Sequence, residues 1–335
     1  MTRATTVPAD RSAAGPCAAG WPSRAPYAAL AWSVLGTAAG LYWALGGDAA
    51  YRFAHPDRPE PVGALITAGC LLGTATATAM IRGWAVPRRA VIASGTAAAA
   101  FLLVIAPGAL LLETVNLLLL ETLRPVDLAA FADHAAAMGG GVVWAAATLA
   151  YARGTRSACP RCGRTGPAHG AGPRWGRRVT HAAALAPLPY SLWRLAWVFG
   201  IPIGITATDL HQLRHGPGLG IPGLVALTVL SEAAALPVLG LVHRWGEVFP
   251  RWIPRLGGRP VPPRTAIVPG AVVALMLTAI SGMILRQGVA MEDGDWPIVG
   301  PIATLGFVAW GPLIGAATLA YYYRRRGPCT GCGLH

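Results

Sequence analysis

The sequence predicts an all-α fold: a polytopic membrane helix bundle with eight transmembrane helices in two parallel-repeat four-helix halves. Three observations predict it. Of the 335 residues, 54% are hydrophobic and 12% charged, whereas a soluble domain carries about 25% charged residues. Eight apolar stretches approach the about 20 residues that a helix needs to cross a bilayer core of about 30 Å. A block of sequence near the middle of the chain recurs near its end.

Taken in order, residues 1–25 are rich in Pro, Ala, Ser and Thr and lack the apolar core of a signal peptide. They are expected to form a disordered cytoplasmic tail. The spans of the first half, residues 26–165, are expected at Tyr27–Gly47, Val62–Ile81, Ala90–Leu112 and His134–Ala152. A basic cytoplasmic linker occupies residues 166–180. The second half, residues 181–335, carries spans at Ala182–Ile205, Ile221–Val242, Thr265–Leu285 and Pro297–Tyr323. Gly36 and Gly40, Gly200 and Gly204, and Gly311 and Gly315 have the small-xxx-small spacing of close helix seams.

All 27 basic residues are Arg. They cluster in the N-terminal tail, at Arg82, Arg88 and Arg89, at Arg153–Arg178, at Arg244–Arg264 and at Arg324–Arg326. Arg52, Arg58, Arg124, Arg214 and Arg286 fall in the alternate loops. The positive-inside rule then puts both termini in the cytoplasm of a multi-pass protein of the cell membrane. Topology accounts for the net charge of +13, so the basic balance implies no nucleic-acid partner. The loop from Arg244 to Arg264, with Trp245 and Trp252, suits the anionic headgroup layer.

The duplication is the sharpest signal. Ala146-Ala147-Thr148-Leu149-Ala150-Tyr151 recurs as Ala316-Ala317-Thr318-Leu319-Ala320-Tyr321. Each Tyr is followed at the same spacing by Cys-x-x-Cys-Gly, at Cys159, Cys162 and Gly163 and at Cys329, Cys332 and Gly333. Leu41-Tyr42-Trp43-Ala44-Leu45-Gly46 in the first span is echoed by Leu195-Ala196-Trp197-Val198-Phe199-Gly200 in the fifth. An even number of spans per half gives both halves one orientation, a parallel repeat. The Trp-Ala-Leu-Gly-Gly run at Trp43–Gly47 and the Arg-Trp-Gly-Glu…Phe-Pro-Arg-Trp loop at Arg244–Trp252 resemble uncharacterised multi-pass membrane proteins of high-GC Gram-positive bacteria. The resemblance implies no activity.

Each Cys-x-x-Cys-Gly looks like one knuckle of a zinc ribbon. Two intervening residues let both sulfurs reach one tetrahedral ion, and the Gly permits a turn whose N–H groups bond the thiolates. In a reducing cytoplasm, metal is favoured over a disulfide. Four thiolates from Cys159, Cys162, Cys329 and Cys332 would make one shared structural zinc site stapling the two halves. Separate knuckles completed by His169, His335 or a partner, a thiol redox pair, and unligated thiols are the alternatives.

Inside the spans, Arg194 and Glu232 fall at similar depth in adjacent helices and are expected to form a polar pair, since unpaired charge in hydrocarbon is costly. The pair reads either as a register-fixing contact or as a substrate or proton site. In the outer loops, Asp209, His211 and His215 have ligand-like chemistry, with the two His at i, i+4. Such clusters are mostly solvated surface. His134, His181 and His243 lie at span ends, which argues against a transmembrane haem. The sequence contains no nucleotide-binding loop, nucleophile elbow or zinc-protease motif. Three functions remain: a membrane scaffold or regulatory protein with a cytoplasmic protein partner, a small-solute or lipid transporter using Arg194 and Glu232, and a membrane thiol oxidoreductase.

Overall fold

The computed structural model describes residues 20–47, 59–107, 110, 113–114, 117, 127–156, 158–165, 175–216, 220–249, 251, 254–255, 257–290, 299–329 and 332. Among them there is no strand; the one β feature is an isolated antiparallel bridge between Val248 and Pro260. The helices are α1 (Trp21–Ala44), α2 (Pro59–Arg82), α3 (Arg88–Ala100), α4 (Leu128–Gly154), α5 (Trp175–Leu185), α6 (Leu188–Val198), α7 (Ala207–His215), α8 (Gly220–Leu239), α9 (Pro263–Ala290) and α10 (Val299–Arg325).

Among the described residues, six helical segments are long and apolar enough to cross a membrane: Pro61–Arg82, Arg88–Ile105, Leu128–Gly154, Gly220–Leu239, Pro263–Met283 and Leu305–Arg325. The two other expected spans do not meet that standard. Helix α1 has the length, but Trp, Tyr, Pro and Ser dilute its apolar character. The expected fifth span is broken at Ala186-Pro187, giving two helices of 11 residues each. Beyond α6 the chain folds back, and the indoles of Trp193 and Trp197 both donate to the Ile203 carbonyl at 2.7 and 2.9 Å. The third span departs from α geometry at Phe101–Ile105, a π segment that stops before Pro107. There Ala106 N–H bonds the Phe101 carbonyl at 3.0 Å, the wider i→i−5 turn of a π-bulge.

The chain divides into two compact units. The first comprises residues 1–99, 139–169 and 327–335, and the second residues 100–138 and 170–326. In the first unit, α1 and α2 pack through glycine: a Cβ at Gly40 would strike the backbone of Thr67, and one at Gly36 would strike the Cys70 sulfur. Trp144 of α4 is almost fully buried, with its ring beside Gly73. Thr76 and Ser94 hydrogen-bond at 2.9 Å between α2 and α3.

In the second unit the core comprises Ala183, Ala235, Val238, Leu241, Ala274, Leu277, Ile280, Trp310, Ile314, Ala317 and Tyr321. Gly311 lets α10 approach the α9 backbone at Leu277 and Thr278. Gly200 and Gly204, expected as a seam, lie outside any helix with φ of +83° and +76°. They are turn residues, placed where a Cβ is disfavoured. Tyr321 donates its hydroxyl to Gly246 O at 3.1 Å and Arg324 pairs with Glu247 at 3.1 Å. These contacts tie the end of α10 to the 241–262 loop.

Candidate metal centre

Helix α4 ends at Gly154, and the chain then makes a tight turn through the first Cys pair. Cys159 N–H bonds Arg164 O at 2.9 Å and Gly163 N–H bonds Cys159 O at 2.7 Å. Gly163 has φ +73°, and a Cβ there would also press on the Arg153 guanidinium. Glycine is therefore the residue that fits. The turn directs the N–H groups of Cys162 and Arg161 at the Cys159 sulfur, and that of Arg164 at the Cys162 sulfur.

Two arginines brace this turn. Arg153, in the last turn of α4, donates to Pro160 O at 3.3 Å and Arg161 O at 3.0 Å. Arg164 is buried and donates to Gly327 O at 3.3 Å, reaching the segment that carries the second Cys pair.

The four sulfurs of Cys159, Cys162, Cys329 and Cys332 lie within 4.8 Å of one another. The Cys159–Cys329 and Cys162–Cys332 separations are 4.0 and 3.6 Å. Zinc–sulfur bonds of about 2.3 Å in a tetrahedron put sulfurs about 3.8 Å apart. The spacing thus fits one ion, and it is far beyond the about 2.05 Å of a disulfide. This is the only group of three or more His, Cys, Asp or Glu side chains among the described residues placed to hold a metal.

The electrostatics agree with the geometry. Burial works against a charged Cys159, but the N–H donors of Cys162 and Arg161 outweigh it and hold the thiol below its ordinary range. Cys162 is pushed up to about 12, by burial first and by the neighbouring thiols Cys159, Cys332 and Cys329, with the Arg164 N–H opposing. The two sulfurs of one pair are thus shifted in opposite directions, with burial the largest influence opposing charge on both. A divalent cation removes that conflict. The donor set is all sulfur and numbers four, so it could hold one metal ion in a tetrahedral site. His169, His335 and Gly333 lie outside the described residues.

The other expected site residues are arranged differently. No ion pair joins Arg194 to Glu232. The Arg194 guanidinium donates to the Tyr190 hydroxyl at 2.9 Å and stacks 4.6 Å from its ring centroid. The Oε1 of Glu232 is buried without a hydrogen-bond partner. Arg194 and Tyr190 lie one turn apart on α6, so this contact is local to one helix. Asp209 sits in the first turn of α7 and accepts from the hydroxyl of the N-cap Thr206 at 2.7 Å. His181 and His243 are in ring contact at 6.1 Å, with their Nδ1 atoms against the Arg177 and Leu239 carbonyls.

One buried pair escaped the sequence reading: His134 Nδ1 lies 2.9 Å from Glu113 Oε2. Both residues stood out as polar groups in apolar stretches. Their meeting joins positions 21 residues apart, a contact that spacing along the chain does not indicate. No family model matches the chain, nor does any curated protein or solved structure.

Proposed function

We propose that the protein is a scaffold or regulatory protein of the cell membrane, whose cytoplasmic face is fixed by one structural zinc on Cys159, Cys162, Cys329 and Cys332. The observation that carries this reading is the convergence of four sulfurs from Cys pairs 170 residues apart. The ion ties the C-terminal segment to the turn after α4. All four ligand positions are filled, so its work is architectural. The partly exposed Arg153 and Arg161 beside it give a basic face suited to a cytoplasmic protein partner.

The chain is read as eight crossings in two parallel halves, with α1 and the broken α5–α6 pair as first and fifth. Three likenesses support it. The ends of α1 and α6 carry the same cap: Gly46 and Gly200 are both left-handed, and Gly47 and Ile201 N–H groups both reach back five residues, to Tyr42 and Ala196 carbonyls at 3.0 and 2.9 Å. That is the Schellman pattern, laid on the matching Leu41–Gly46 and Leu195–Gly200 motifs. Residues 139–150 and 309–320 follow the same order of buried and exposed positions. A Cβ at Gly95 would meet the Thr148 hydroxyl, and one at Gly270 would meet that of Thr318. The inner side is assigned from the Arg clusters, beside which Trp21, Trp84, Trp175 and Trp245 are exposed, as interface anchors are.

A second reading, a small-solute or lipid transporter, rests on the unpartnered Glu232 oxygen inside a spanning helix, since intramembrane acids often mark pathways. A Glu232→Gln chain that folds but loses uptake of a solute would favour it. For the first reading, elemental analysis of the purified full chain should give one zinc per chain, lost in Cys329→Ser. Zinc-free protein with reversible Cys159–Cys162 oxidation would overturn it in favour of a thiol oxidoreductase.

A further inference from the structure

Helix α7 is short and polar, and Leu210 is its one buried residue. It begins at the N-cap Thr206, whose oxygen accepts from Asp209 N–H at 3.1 Å. It ends at Gly216, whose N–H bonds Gln212 O at 2.7 Å. Both ends are capped, so the five residues from His211 to His215 span just over one regular turn. Their side chains then share a face. The rings are exposed, with centroids 4.9 Å apart and planes at 47°.

That separation carries chemical content. Two imidazoles binding one ion at about 2.0–2.1 Å put their centroids roughly 4.5 Å apart for a right-angle N–metal–N arrangement and about 6.4 Å apart for a linear one. The observed 4.9 Å falls between these limits, so the ring spacing is compatible with both imidazoles on one ion. The ring nitrogens are not engaged in hydrogen bonds among the described residues. Arg214 lies between the two His in sequence, but its guanidinium is turned onto Gly200, where an added Cβ would meet it at 2.8 Å. Asp209 is held by Thr206, so the arrangement differs from the three-ligand cluster the sequence suggested.

We propose that His211 and His215 form a two-imidazole chelate for a divalent late transition-metal ion of the zinc, copper and nickel class, the ions that imidazole favours. The remaining positions belong to water or to a ligand the ion carries. The site is separate from the four-sulfur centre in both donor type and place in the chain. On the orientation proposed above it faces the outside, where it would capture ions before they reach the bilayer surface. The chelate itself does not depend on that orientation.

The test uses the full chain in detergent, with its thiol centre saturated with zinc and excess zinc removed, and Ni²⁺ as the probe in a calorimetric titration. One Ni²⁺-binding event should weaken by about tenfold or more in His211→Gln and in His215→Gln, because losing either ring removes the chelate advantage of the second, intramolecular bond. The deciding variant combines His215→Gln with Gln212→His. It keeps the number of exposed His on α7 but places them at i, i+1, where they point apart. The proposal expects the same loss there. Equal Ni²⁺ affinity in the shifted and parent chains would show adventitious single-His binding and overturn it, as would a parent chain with no binding event sensitive to these residues. Elemental zinc should stay unchanged throughout, which keeps this outcome distinct from failure of the thiol centre.

Discussion

The ends of α4 and α10 make an instructive comparison. Both carry Ala-Ala-Thr-Leu-Ala-Tyr, and both bury the same positions over the first five residues. Ala147 and Ala317 are sealed, Ala150 and Ala320 each keep 6% exposure, and Leu149 and Leu319 each keep 44%. From the Tyr onward they diverge: Tyr321 is buried, whereas Tyr151 is half-buried. At the end of α4, Arg153 turns forward onto the Cys159 turn. At the end of α10, Arg324 and Arg325 turn onto the loop at Glu247 and Val261. The helix face is set by packing against neighbours and is copied faithfully. The charged ends are free to find different carbonyls. The first Cys turn is thus braced by its own helix, whereas the second is reached through Arg164 and the shared sulfurs.

The largest expected effect breaks the comparison at the sulfurs. Structural zinc contributes about 10–16 kcal/mol of apparent binding free energy. Cys159→Ser and Cys329→Ser should therefore both abolish zinc retention, measured by elemental analysis after chelator challenge. Loss in one and retention in the other would mean two independent knuckles. Acid should act in the same direction. Zinc must displace the proton that Cys162 holds up to about 12, so affinity should fall about tenfold per pH unit per displaced proton as pH drops.

Next come the helix seams. Gly95→Leu and Gly270→Leu should each destabilise by about 1–3 kcal/mol or more through overpacking against Thr148 and Thr318. Thermal unfolding in detergent reads both. A large loss at Gly95 with none at Gly270 would undo the equivalence of the two helix pairs.

The two bracing arginines sharpen the contrast. Arg153→Met and Arg164→Met each remove charge-assisted hydrogen bonds to carbonyls, about 1.5–3 kcal/mol. Arg153→Met should loosen only the first Cys turn, while Arg164→Met should also free the C-terminal segment, seen as faster proteolysis after residue 326. The smallest effect belongs to the caps. Gly46→Ala and Gly200→Ala should each cost about 1 kcal/mol for a left-handed backbone, in thermal unfolding. Unequal losses would trace to Arg214, which packs on Gly200 alone.

Much of the molecule was legible in its residues. Long apolar runs announced α2, α4, α8, α9 and α10, because hydrophobic length is a one-dimensional property. The break of the fifth span at Pro187 and the π segment before Pro107 were less legible. A proline in an apolar run reads equally as a tolerated kink or as a stop, and tertiary packing chooses. Gly200 and Gly204 had the spacing of a seam, yet their positive φ values show that they turn the chain.

The sequence by itself determined the helical, membrane-type character, the duplicated motif, and the residue types of a thiolate site, since composition, period and Cys spacing are written along the chain. Only the tertiary structure decided that Cys159 meets Cys329 and Cys162 meets Cys332, that Arg194 bonds Tyr190, and that Glu113 finds His134. Such pairings depend on how the backbone reverses and on which partner lies within a few ångströms, and neither is fixed by distance along the sequence.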